Sequence, residues 1–169
     1  MELQYYLLSQ LDYLLSIGCI IAAIRIGKVA LSLLIASFAY FIQIIVDNSI
    51  LDKLSTLDSI EQHDLIAIWY TSFAMTDMLL ILAVYSIHRA TATPFHLFSR
   101  LFVYITTFTV VLRMARCTER LFFDSYYLQL TYQWGIPVTN FLLLGSLALG
   151  LAFIYRRSRD FEERIAWHS

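Results

Sequence analysis

The chain has 169 residues, of which 59% are hydrophobic and 15% charged, with a formal net charge of −1 and a mean hydropathy of +0.67. A soluble domain is usually about 45–50% apolar and about 25% charged. The charges here also cluster between long apolar runs, which excludes a soluble globular enzyme, a disordered tail and a disulfide scaffold.

A bilayer core of about 30 Å needs about 20 mostly apolar residues in a helix. Five stretches meet that length, roughly 3–24, 29–50, 64–87, 98–115 and 136–155. Backbone groups find no water in lipid and no barrel-type alternation is present, so each stretch is expected to be a helix. The prediction is an all-α, polytopic membrane helix bundle in one domain spanning 1–169. The first stretch has no basic residue before it and reads as a retained span rather than a secretory signal.

Between the stretches, charge sets an orientation. The turn at 25–28, the loop at 88–100 and the tail carry Arg25, Lys28, Arg89, Arg100, Arg156, Arg157, Arg159 and Arg164. The 47–64 loop is acidic, with Asp47, Asp52, Asp58, Glu61 and Asp64. Basic residues favour the cytoplasmic side, which implies an inner (plasma) membrane protein with its N-terminus outside and its C-terminus inside. Two connecting segments are expected to lie along the outer interface. One is a short amphipathic helix marked by Leu51, Leu54, Leu57 and Ile60; the other is a helix over 116–134 bearing Phe122, Phe123, Tyr126, Tyr127, Tyr132 and Trp134.

Polar residues inside the stretches carry most of the information, because a mid-helix acid costs about 2.5–3.5 kcal/mol on insertion scales. Helical spacing aligns Tyr5, Ser9, Asp12, Ser16 and Cys19 in the first stretch, and Ala36, Tyr40, Gln43 and Asp47 in the second. Tyr70, Ala74, Asp77, Ile81 and His88 share a face in the third; Phe102, Thr106, Thr109, Arg113 and Arg120 share one in the fourth. These stripes are expected to meet in a polar seam. Counting depth at about 1.5 Å per residue puts Asp12 and Arg113 about 6 Å apart and Asp77 farther away. Asp12–Arg113 is therefore the expected ion pair, with Asp77 protonated or solvated and placed with His88 on a possible proton path.

Other signals are weaker. Arg113, Arg116 and Arg120 lack the spacing of a voltage sensor, since Glu119 interrupts them. His88 and His96 flank one loop, as a haem pair would, while His63 and His168 have no partner nearby; Arg156-Arg157-Ser158-Arg159 reads as a headgroup anchor. Gly18 with Ala22, and Ser146 with Gly150, mark close helix contacts. Cys19 and Cys117 have no metal-type or redox spacing. No nucleophile elbow, metalloprotease motif or phosphate loop is present.

The expected function is therefore that of a non-enzymatic accessory, regulatory or assembly subunit, without cofactor or metal. Its partners would be the lipid bilayer and other membrane subunits or further copies of itself, not nucleic acid. The alternatives are an oligomeric ion or proton channel or proton-coupled transporter using Asp77, Asp12 and Arg113, and a haem-carrying electron-transfer subunit.

Overall fold

A computed structural model describes residues 2–56, 61–123 and 125–166, and those residues form helices joined by short turns, with no strand among them. Helix α1 covers Glu2–Ile26, a 3₁₀ turn covers Gly27–Ala30, and α2 covers Leu31–Leu54. Then come α3 (Gln62–Ala90), α4 (Leu97–Thr118), a π-helical turn (Glu119–Phe123) and α5 (Gln129–Ala166).

Four segments are long and apolar enough to cross a membrane: Leu11–Leu54, His63–Ala90, Leu97–Phe123 and Gln129–Ser158. That is one fewer than the five stretches expected from sequence. The first two expected stretches fall in a single helical run of 44 residues, because the 3₁₀ turn at Gly27–Ala30 keeps helical backbone where a loop was expected. The run does not stay straight. Residues 13 and 48 would lie about 50 Å apart in a straight helix, yet the Asn48 amide donates to the Tyr13 hydroxyl at 2.8 Å. The reversal sits at Gly27, whose φ of +82° is a backbone state that a Cβ disfavours.

The helices close into a ring in chain order, with α5 packed back on α1 and α2 also touching α4 and α5. One end of the bundle holds the acidic residues Asp47, Asp52, Glu61 and Asp64 and the π-helical turn. The other holds the Gly27 turn, the 91–96 turn and the exposed side chains of Arg25, Lys28, Arg89, Arg100 and Arg156. Leu33, Ala36, Val84, Phe102 and Leu147 are fully buried at the centre. The outward faces are apolar too: Met75, Met78, Leu79 and Leu82 of α3 are exposed, as helices that meet lipid must be.

Three boundaries differ from expectation for physical reasons. The 116–134 segment is not one interfacial helix: α4 runs on to Thr118, the π-helical turn follows, and α5 begins at Gln129. Glu119 causes the break by turning inward to bond the backbone ahead of it, as detailed below. Helix α5 also starts well before 136, with Pro137 inside it; the proline removes one backbone bond but does not end the helix. Leu51 and Leu54 extend α2, while Leu57 and Ile60 lie outside the described residues.

The two glycine contacts separate. Gly18 has no neighbour within 4 Å of a would-be Cβ, because it lies among Leu14, Ile17 and Ile21 on the exposed side of α1. At Gly150 a Cβ would lie 2.9 Å from Leu33 Cδ1 of α2 and 2.9 Å from Phe98 Cβ of α4. Phe98 Cβ is fixed to its backbone and cannot give way without moving α4. Gly150→Ala is therefore expected to destabilise the bundle by about 1–3 kcal/mol, whereas Gly145→Ala, with open space around it, should be neutral or slightly stabilising. Unfolding of both variants in mixed micelles checks this; equal effects would show that the α2–α4–α5 junction is not tightly packed.

Candidate functional site

The polar seam resolves into three layers along the bundle, two of which tie together helices far apart in sequence.

The middle layer holds the charges. Asp77 on α3 is 1% exposed, and its Oδ2 lies 3.3 Å from Arg113 Nη1 on α4. Arg113 Nη2 also lies 4.0 Å from Asp47 Oδ2 on α2. The other oxygen of each acid is held by an amide or hydroxyl: Gln43 Nε2 donates to Asp77 Oδ1, and Thr76 Oγ1 donates to Asp47 Oδ1 at 2.8 Å. Phe73 supports the guanidinium, with Arg113 Cζ 5.1 Å from its ring centroid. Asp12 is half-buried on α1.

This arrangement corrects the expected pairing. Arg113 pairs with Asp77 and Asp47, and neither contact involves Asp12. Depth counted along single helices omitted a directional term. Every Cα–Cβ bond tilts toward the N-terminus of its own helix. On the antiparallel α3 and α4, Asp77 and Arg113 therefore lean toward each other; the same tilt applies to Asp12 on α1, and what excludes Asp12 is that α4 packs against α3, α2 and α5 but not against α1 among the described residues.

The layer near the basic end is dense. Ser32 Oγ of α2 lies 2.8 Å from His88 Nε2 of α3 and donates to Ser99 Oγ of α4 at 2.9 Å. The backbone N–H of His96 donates to Ser32 Oγ at 3.0 Å, and Ser99 Oγ donates to the Ser32 carbonyl at 3.1 Å. His88 Nδ1 lies 2.7 Å from the Val84 carbonyl, so both ring nitrogens of His88 face protein atoms. Phe95 stacks on the His88 ring at 3.9 Å. His96 is partly buried in the turn, and that burial lowers its imidazole below the ordinary value, favouring the neutral form. The two histidines thus share one turn but have different surroundings.

At the acidic end, Glu119 clasps the chain reversal. Arg116 pairs with Glu119 one turn on, the Leu128 N–H donates to Glu119 Oε1 at 2.9 Å, and Ser125 Oγ donates to the same oxygen at 3.1 Å. Arg116 and Arg120 lie over the Tyr126 ring, at 5.7 and 4.5 Å from its centroid. The ring of Tyr127 beyond the clasp is 91% exposed.

The structure does not join Asp77 to His88. They stand eleven positions apart on α3, about 16 Å, and Leu80, Val84, Leu33, Ala36 and Phe102 fill the level between them. Ser32, Ser99, Thr76 and the carboxylate role of Glu119 were missed from sequence. Only Glu119 had a local signal, its position three residues after Arg116; the serines look like ordinary small residues of a span until the helices are packed. No family model, curated protein or solved structure matches the chain.

Removing the Ser32 hydroxyl strands His88, Ser99 and the His96 N–H together. Ser32→Ala is expected to cost about 1–3 kcal/mol and to speed amide exchange in the 91–96 turn. Ser49→Ala, whose hydroxyl bonds only its own helix at Ile45, should do neither. Amide-exchange mass spectrometry in nanodiscs distinguishes the outcomes; unchanged exchange in Ser32→Ala would dismiss the hub.

Proposed function

We propose that the chain is a multi-pass protein of the inner (plasma) membrane, crossing it five times with the basic end cytoplasmic, and that it serves as an accessory, regulatory or assembly subunit without catalysis of its own. The reversal at Gly27 supports counting the 44-residue run as two passes. The excess of arginine and lysine at one end supports the orientation.

The observation that carries the subunit reading is the closure of the polar interior. The charged side chains of the middle and acidic-end layers are paired within the chain, and the mainly apolar Leu33, Ala36, Leu80, Val84 and Phe102 lie between Asp77 and His88. Such an interior holds helices in register rather than offering a route through them. The outward faces, apolar on every helix, suit lipid and neighbouring membrane helices.

A second reading, an oligomeric proton channel or proton-coupled transporter, draws on one specific feature: two carboxylates face a single guanidinium in the middle layer.

Native mass spectrometry of the full chain extracted in mild detergent, combined with proton flux in proteoliposomes, tests both. The subunit reading expects a different membrane chain bound at fixed stoichiometry and no flux above empty vesicles. A homo-oligomer whose flux is lost in Asp77→Asn would overturn it in favour of the second reading.

A further inference from the structure

We propose that Asp77 is the proton-binding carboxyl of a membrane-embedded site, and that Gln43 is a partner able to serve it in both protonation states. The inference concerns the middle layer alone and does not rest on the subunit reading.

Charge balance is the first argument. With both acids ionised, Asp47 and Asp77 place two negative charges on one guanidinium. An apolar bundle in lipid penalises that excess heavily. One proton on the pair leaves Arg113 matched to a single carboxylate.

Burial says which acid takes it. The Asp47 side chain is 23% exposed and lies toward the acidic end, whereas Asp77 is 1% exposed. The retained charge belongs on the better solvated acid, so Asp47 stays with Arg113 and Asp77 is neutralised.

Hydrogen-bonding capacity is the third argument. Asp77 Oδ2, Gln43 Oε1, and Arg113 Nε and Nη1 are all buried without a hydrogen-bond partner among the described residues, although such groups are nearly always paired. A side-chain amide carries a donor and an acceptor at opposite corners. In the ionised state Gln43 Nε2 donates to Asp77 Oδ1. When a proton adds to Oδ1, a half-turn of the amide places Gln43 Oε1 there to accept it, and the contact survives with its direction reversed. A leucine or an asparagine at 43 could not do this, the first lacking polar atoms and the second being one methylene short.

The helices packed against α3 in this layer are α2 and α4, and the titratable and charged groups they bring near Asp77 are Tyr40 and Asp47 from α2 and Arg113 from α4.

Infrared spectroscopy of the full chain in nanodiscs, with carboxyl-labelled aspartate, reads the proton directly. At neutral pH the expected spectrum has one protonated-carboxyl stretch per chain that shifts with the label and in heavy water. Asp77→Asn should abolish the band, Asp12→Asn should leave it, and Gln43→Leu should move it to higher frequency by freeing the O–H. Absence of the band in the wild-type chain, or its survival in Asp77→Asn, overturns the proposal. Because the wild-type spectrum and the Gln43→Leu shift do not require Asp77→Asn to fold, the test stands if that variant is lost.

Discussion

A guanidinium cannot stay in a hydrocarbon bundle unless something compensates it. Arg113 stands on α4, and its compensation comes from α3 through Asp77 and from α2 through Asp47. Three helices are thereby fixed in depth and rotation relative to one another. A buried pair of this kind adds little net stability over apolar packing, but removing one partner is severe. Its contribution is to register: helices with uniformly apolar outer faces could otherwise slide or rotate at small cost. The layer of Ser32, His88 and Ser99 likewise ties α2, α3 and α4 at one end, and the Arg116–Glu119 clasp ties the end of α4 to the start of α5 at the other.

The three layers also explain what the rest of the fold can leave unspecified. Between them, contacts are made by small or apolar side chains, and the close approach at Gly150 brings α5 against both α2 and α4. The connections near the ends are short, so the layers rather than the loops hold the helix ends together. Glu119 shows this most clearly. Its carboxylate takes the Leu128 N–H, which leads into α5 and would otherwise be unpaired at a helix start.

Much of the architecture was legible in the sequence because lipid makes hydropathy a strong signal. Helical class, the apolar stretches and the inward stripes containing Asp77, Gln43 and Arg113 all follow from spacing and length. The run Leu11–Leu54 was harder, since hydropathy alone does not register a reversal made by a single glycine in a 3₁₀ turn. The pairing of Arg113 was not legible from depth. Rise per residue places Cα atoms in depth but not around the ring, and α4 packs against α3 and α2 rather than α1, which gives Arg113 to Asp77 and Asp47 instead of Asp12. Ser32 and Ser99 had no signal at all, because a serine that bonds a neighbouring helix and one that bonds its own backbone look alike in sequence.

The central claim is that Arg113 is held by Asp77 and Asp47 and not by Asp12. A double-mutant cycle in bicelles, pairing Arg113→Met in turn with Asp77→Asn, Asp47→Asn and Asp12→Asn, measures this most directly. The account predicts a coupling of about 0.5–3 kcal/mol for the Asp77 and Asp47 cycles, larger for Asp47, which keeps its charge, and none beyond error for Asp12. A coupling confined to Asp12 would contradict it and would require a different arrangement of α1 against α4.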